Sequence, residues 1–253
     1  MSLISIKNLW KKYDDNVVLE RITLDIQEGE FCTLVGPSGC GKSTFLKMLL
    51  GQETPTSGTF LLDGKPFPEE PGIERGIVFQ RYSVFPHLTV LGNVMMSMEM
   101  KESKVLGKFF GAKRKEAKRT AMEMLTSVGL GDAADKYPSE LSGGMQQRLS
   151  IAQSLVNKPK ILLLDEPFGA LDPGIRADMH KLILDLWKKN NLTIVMVTHD
   201  LKESFYLGTR LLVFDKVRYE PQAPNMYGAL ITYDIPVGDT RESVLKEVVE
   251  SIN

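Results

Sequence analysis

Gly36-Pro37-Ser38-Gly39-Cys40-Gly41-Lys42-Ser43-Thr44 is a glycine-spaced run that closes on a lysine and two hydroxyls. Its chemistry is phosphate binding. The glycines let backbone N–H groups converge on the β- and γ-phosphates of a nucleotide with no Cβ in the way. Lys42 brings a full positive charge, and the Ser43 hydroxyl is placed to ligate Mg²⁺. A second set of reactive groups lies far along the chain, where the apolar run Ile161-Leu-Leu-Leu ends in Asp165 and Glu166. Asp165 suits the Mg²⁺ shell, and Glu166 suits polarisation of an attacking water. Cys40 has a reactive reading, because a helix N-terminus and a nearby lysine lower a thiol's pKa. The plainer reading, preferred here, is that cysteine is small enough for the loop.

These groups need a strand before them and a helix after them, and the chain supplies both. Phe31–Val35 and Ile161–Leu164 are continuous apolar runs, as expected of buried parallel strands, and Thr193–Val197 and Leu211–Phe214 read the same way. A helix starting after Gly41 would turn its partial positive end toward the phosphates. Further helices are expected after Gly144, over about Arg176 to Lys189, and from near Asp200. Period-two alternation in Leu3–Leu9 and Ile22–Ile26 predicts half-exposed antiparallel strands, and turn residues at Thr54–Gly58 and Asp63–Gly64 separate further short ones.

Residues 88–154 have no convincing strand and are rich in Met, Lys, Arg, Glu and Ala. They read as a helical subdomain inserted between core strands. Beyond Lys216 the chain is broken by Pro221, Pro224 and Pro236; Leu230–Ile235 suits an edge strand, and Asp239–Val249 a last helix. The expected fold class is α/β: a P-loop nucleotide-binding core with a mixed sheet, an antiparallel β subdomain and an inserted helical subdomain. In residue ranges, one domain spans 1–253, with the core at 1–87 and 155–215, the helical part at 88–154 and a tail at 216–253.

Between the two chemical motifs lies Leu141-Ser142-Gly143-Gly144-Met145-Gln146-Gln147-Arg148. Ser142 and the glycine N–H groups open a helix whose apolar stripe is Leu149, Ala152, Leu155 and Val156, which makes a second anion site. Two phosphate sites and one nucleotide core suggest a head-to-tail dimer, in the isologous symmetry commonest among oligomers. The three motifs in this order resemble the ATPase subunit of ABC transporters, over about residues 3 to 215.

That resemblance implies roles for further residues. Tyr13 resembles the aromatic that stacks on adenine, and Gln80 the glutamine that touches Mg²⁺ and water. Gly169-Ala-Leu-Asp172 resembles the loop at the dimer interface, and His199 the switch histidine at the γ-phosphate. Ser142, Gly143, Gly144 and Gln146 would bind the partner's ATP. Met145 stands where the family pattern has glutamine, a departure shared with importers resembling the nitrate, sulfonate and taurine group. Arg81–Val90 and Lys136–Leu141 are likewise similar to importer sequences. Phe214-Asp-Lys-Val-Arg and the following Pro-Gln-Ala-Pro-Asn resemble importer ATPases associated with urea carboxylase, which points to urea, guanidine or a similar small nitrogen compound as cargo.

The family resemblance implies ATP and Mg²⁺ as ligands, a homodimer, membrane-spanning permease subunits, and indirectly a substrate-binding protein. It implies a place on the inner face of the cell membrane, reached through the permease. Composition agrees with an ordinary globular chain: 253 residues, 43% hydrophobic and 25% charged. The net charge of −1 gives no reason to expect nucleic acid, and no apolar run approaches the ~20 residues that span a bilayer. The N-terminus has no secretion-signal pattern, and two cysteines, Cys32 and Cys40, suit a reducing cytosol. His87 and His180 have no functional context.

Two segments stay open at this level. Met95, Met96, Met98 and Met100 suit either a core helix or a groove for a permease segment, with Phe85 and Pro86 beside them. Lys101–Arg119 carries eight cations around Phe109-Phe110 and reads as a solvated helix face with a hydrophobic anchor, in preference to a lipid-binding patch. An exporter ATPase, or an ABC ATPase acting on nucleic acid or ribosomes, are the rival functions; the latter usually carries two tandem cores or long coiled-coil insertions.

Overall fold

A computed structural model describes residues 2–80, 83–102, 108–223 and 225–238. The last helix expected over Asp239–Val249, and Arg81 and Lys104, lie outside the described residues. Two compact units are formed: one from Met1–Gly72, Leu163–Glu166 and Trp187–Asn253, the other from Ile73–Leu162 and Pro167–Leu186.

The first unit opens with β1 (Ser2–Tyr13) and β2 (Asn16–Gln27), paired antiparallel. Both are longer than their alternation suggested. Asn8 and Arg21 take left-handed backbone angles, φ 47° and 49°, and the register shifts between Ile6 and Leu9. Each bulge resets which face the side chains take, so the period-two signal breaks inside one continuous strand. After β3 (Phe31–Val35) and α1 (Lys42–Leu50) come β4 (Ser57–Leu62) and β5 (Lys65–Pro66), which complete an antiparallel sheet in the order β2-β1-β4-β5.

The second unit holds β6 (Arg75–Val78), which lies beside the first residues of β7 (Ile161–Asp165). Between them the chain is helical, as its composition predicts: α2 (Val90–Glu102), α3 (Gly111–Ser127), short 3₁₀ turns at Gly131–Ala133 and Pro138–Glu140, and α4 (Gly143–Leu155). Asn93 ties the start of this region together. Its amide donates to the carbonyls of Phe85, Leu88 and Thr89, and its oxygen accepts from the Phe85 N–H at 2.7 Å. α5 (Pro173–Asn190) begins on a proline, whose missing N–H costs nothing in a first turn.

Back in the first unit, the strand order runs β10-β9-β3-β8-β7, with β8 (Thr193–Val197), β9 (Arg210–Asp215) and β10 (Leu230–Pro236). β3 runs parallel to β8 and β9, and β10 pairs antiparallel to β9 as the expected edge strand, so the sheet is mixed. α6 (Leu201–Leu207) separates β8 from β9 and is capped by Asp200, whose carboxylate accepts from the Lys202 and Glu203 N–H groups. Every residue of β3 and β8 is buried, which is why these strands read as unbroken apolar runs. Cys32 sits in that core; burial pushes its thiol far above the ordinary range, and both cysteines are free.

Candidate nucleotide site

The loop between β3 and α1 is shaped by glycines in conformations other residues avoid. Gly36, Gly39 and Gly41 have φ of 150°, 80° and 90°. A Cβ on Gly36 would lie 2.0 Å from the Phe214 carbonyl oxygen, and one on Gly41 would lie 2.7 Å from Leu19 Cδ2. At Gly39 nothing lies within 4 Å, so that turn of the loop faces open space. Lys42, only 8% exposed, donates from Nζ to Gly36 O at 2.7 Å and to Pro37 O at 2.9 Å. Cys40 is buried with its sulfur 3.7 Å from that Nζ, a small side chain filling the loop's interior.

An open pocket of about 640 Å³ is lined by this loop together with Tyr13, Glu166 and His199. Gly36, Ser38, Gly39, Gly41, Lys42, Ser43 and Thr44 all face it; Pro37 and Cys40 do not line it. Glu166 follows β7 with φ 46°, a left-handed backbone angle unfavourable for a residue with a side chain, and its N–H donates to Val197 O at 2.9 Å. Such angles cost about 1–3 kcal/mol and persist where the surroundings enforce them. His199 follows β8, and its Nδ1 stands 3.4 Å from Glu166 Oε2. Thr198 beside it donates to buried Glu203 at 2.6 Å, which fixes the turn that carries the histidine.

Asp165 precedes Glu166 at the end of β7. Burial raises its carboxyl above the ordinary range, the Glu166 charge raises it further, and Lys47 and Lys42 oppose both. A carboxylate held reluctantly ionised beside another is one that a cation would relieve. Its partner donor in sequence, the Ser43 hydroxyl, is also a hard oxygen. Among the described residues no three His, Cys, Asp or Glu groups form a protein-only metal cage. One carboxylate and one hydroxyl suit Mg²⁺, which is usually bound by one or two carboxylates plus substrate phosphates and water.

Tyr13 is 40% exposed at the pocket edge. Burial and a bond to Glu53 push its hydroxyl pKa up, Thr44 pulls it the other way, and Lys11 Nζ stands 4.6 Å from the ring centroid. Lys11 in turn pairs with Glu53 at 2.7 Å, so the ring is held by a small charged frame. Asn16 and Val18, at the start of β2, also line the pocket and carried no signal in the sequence.

The remaining predicted site residues belong to the second unit. Gln80 is exposed just beyond β6. Ser142 caps α4, its Oγ accepting from the Met145 N–H at 3.3 Å, while Gly143 opens the helix. A Cβ on Gly144 would meet Ile175 at 2.5 Å. Gln146 Nε2 donates to the carbonyls of Pro138 and Leu141, which folds it back on its own turn. Leu149, Ala152, Leu155 and Val156 are all buried, as the stripe predicts. His87 and His180 make edge-on ring contacts with Phe85 and Phe168.

The methionines of α2 are not core residues: Met95, Met96 and Met98 are half-buried, and Met100 is 71% exposed. A groove of about 410 Å³ on this unit is lined by Phe79, Phe85 and Met100 among others. The basic stretch divides at its aromatic pair. Phe109 is buried under Lys113, 4.8 Å from its ring centroid, whereas Phe110 is 66% exposed. Only the first of the two is an anchor.

The family model described as ABC transporter matches residues 19–169. The chain is 43% identical over 198 residues to the aliphatic sulfonates import ATP-binding protein SsuB of Bacillus subtilis, covering 78% of this chain and 72% of that one. It is 45% identical over 197 residues to the nitrate import ATP-binding protein NrtD of a Synechocystis strain, covering 78% and 70%. A dimeric structure of the ATP-binding cassette MJ0796 in a post-hydrolysis state, bound to ADP and Pi, superposes with a TM-score of 0.72 at 29% identity, over 93% of this chain and 99% of that one. Fold and site define a P-loop nucleotide hydrolase, and the chain belongs to the ABC transporter family. It is an ATP-binding, ATP-hydrolysing subunit coupled to transport.

Proposed function

We propose that this subunit energises import of a small solute, working as a head-to-tail dimer around two Mg·ATP. The observation that carries the reading is the pocket that joins the glycine loop and Lys42 to Glu166 and His199. In each site Tyr13 packs on adenine, the loop residues 36–44 bind the phosphates, and Lys42 neutralises part of their charge. The same chain's Gln80 and the partner chain's signature turn, Ser142 to Gly144 with Gln146, complete the site in the closed dimer. Mg²⁺, when held by Ser43, Asp165 and Gln80, supplies charge neutralisation on the phosphates. Glu166 takes the proton from water as its oxygen bonds to the γ-phosphorus and the bond to the ADP oxygen breaks; His199 orients Glu166 and contacts the γ-phosphate. Loss of the bridging phosphate then removes what holds two chains together.

The relatives named for sulfonate and nitrate import, and the tail's likeness to urea carboxylase-associated importers, favour a small polar solute delivered by a substrate-binding protein. No helix among the described residues is long and apolar enough to cross a membrane. Import ATP-binding relatives favour a subunit that works at the membrane through permease subunits, whose coupling segment the Phe79–Phe85–Met100 groove accepts. Purification of the tagged chain from gently solubilised membranes will recover a multi-spanning permease. Recovery of ribosomal or nucleic-acid proteins instead would overturn the importer reading in favour of the soluble rival, and a permease that moves cargo outward would favour the exporter.

Asp165 gives this site a pH signature. Because its carboxyl is raised in the fold, the folded chain holds that proton more tightly than the unfolded one. In the metal-free protein its contribution to stability is therefore present at low pH and lost as pH rises through the raised value. Mg²⁺ needs the ionised form. Titration at falling pH will show Mg²⁺ affinity weakening earlier than an ordinary carboxylate predicts, and Asp165→Asn will weaken it at every pH and flatten that dependence.

A further inference from the structure

The first residues of β2 are held from two sides. On one side they meet the phosphate loop: a Cβ on Gly41 would lie 2.7 Å from Leu19 Cδ2, 3.1 Å from Val18 Cγ1 and 3.2 Å from Val18 O. On the other they meet residues 225–229 from the C-terminal part of the chain. The Val17 N–H donates to Asn225 O, the Ala229 N–H to Val18 O, and the Glu20 N–H to Ala229 O, each at 2.9 Å. Leu19 and Ala229 form a parallel bridge. Gly228 makes this approach possible, since a Cβ there would lie 2.9 Å from Val17 Cγ1 and 3.0 Å from the Leu19 backbone.

A buried charge fastens the contact. The Glu20 carboxylate is 1% exposed and accepts from the Arg218 guanidinium, from the Gly228 N–H at 3.1 Å and from Arg21 at 3.3 Å. Burial alone would raise its pKa, but Arg218, the Gly228 N–H and Arg21 outweigh that and hold the carboxyl below the ordinary range. Arg218 lies over the Tyr227 ring, 4.3 Å from the centroid, which keeps the guanidinium over the segment it fastens. A buried carboxylate left without its partners is costly, so the pair resists opening.

We propose that Glu20 and Arg218 are positioning residues for ATP: by fastening residues 225–229 to β2 they hold Asn16 and Val18 against the phosphate loop in the arrangement that receives the nucleotide. The inference rests on the pocket of Tyr13, Lys42 and Glu166 being the nucleotide site. Neither residue touches the reacting atoms, so their effect falls on binding. If loosening β2 lowers the fraction of molecules with the wall in place, apparent affinity falls by that fraction.

The experiment measures Mg·ATP binding, and KM and kcat of ATP hydrolysis, for the full chain and for Glu20→Gln, Arg218→Met, Arg218→Lys and Lys42→Ala. Glu20→Gln and Arg218→Met are expected to raise Kd and KM by about 2–10-fold with kcat held within about twofold, and Arg218→Lys to recover most of the affinity. Glu20→Gln keeps the side chain's shape, so it reports even where Arg218→Met fails to fold. Lowered thermal stability with Kd and KM unchanged would show that the pair only braces the fold, and would overturn the proposal. Lys42→Ala separates the two readings. ATP binding that survives it places the nucleotide elsewhere and overturns both the pocket and the pair; binding lost in Lys42→Ala but intact in both Glu20→Gln and Arg218→Met overturns the pair alone.

Discussion

Glu166→Gln will bind ATP and hydrolyse it about 10²–10⁴-fold more slowly than the natural chain, the range over which a positioned base contributes. Glutamine keeps the length of the side chain and its hydrogen-bonding reach toward His199, 3.4 Å away in the natural protein. It removes the carboxylate on the pocket wall that is positioned to take a proton from water. It also removes the charge that adds to burial in raising the Asp165 carboxyl. Mg²⁺ binding in this variant should therefore persist to lower pH, in the opposite sense to its hydrolysis. With ATP bound and not consumed, dimers will accumulate and be visible by size-exclusion chromatography. Turnover near the natural rate would take Glu166 out of the proton-transfer role.

Gly36→Ala will weaken nucleotide binding while leaving every charged group in place. The new Cβ would meet the Phe214 carbonyl oxygen at 2.0 Å and the Cys40 sulfur at 3.0 Å, at a φ of 150° that side chains rarely adopt. The first obstacle is backbone in β9, so no side-chain rotation relieves it. Overpacking of this kind costs about 1–3 kcal/mol, and where the loop yields rather than the sheet, ATP affinity falls by about 10–100-fold. Calorimetric titration with Mg·ATP checks it, and unchanged affinity would mean that the loop is not the phosphate site. Gly39→Ala is the control. Nothing lies within 4 Å of its Cβ position, although its φ of 80° still strains an alanine, so its loss should be the smaller of the two.

The pocket's chemical residues were legible because each sits at the end of a strongly written element. Val35 closes a wholly buried strand, so the loop after it had to emerge at the strand's C-terminal end; Asp165 closes another apolar strand with Glu166 right after it, and His199 follows a third. Asn16 and Val18 were not legible, because their part in the pocket depends on where β2 passes the phosphate loop, which no local pattern records. The bulges at Asn8 and Arg21 hid the true lengths of β1 and β2 for a local reason: a left-handed residue breaks the alternation by which strands are recognised. Met100 and Phe110 were ambiguous because hydrophobicity alone does not tell a core position from an exposed one; the structure leaves both outside the core.

Lys42 gives the loop a selectivity that its charge alone would not. Its ammonium already has two oxygen partners, Gly36 O and Pro37 O, at 2.7 and 2.9 Å. One of its three donors has no oxygen partner, so a ligand can add one oxygen there, and gains the rest of this cation by exchanging those carbonyls for oxygens of its own. Neutral or weakly charged oxygens cannot displace carbonyls that are already close and desolvated. A polyphosphate can, because its oxygens carry negative charge that attracts the ammonium, where a carbonyl offers only a dipole. The same two bonds keep the loop ordered before the nucleotide arrives, and spare it part of the ordering entropy that binding would otherwise cost.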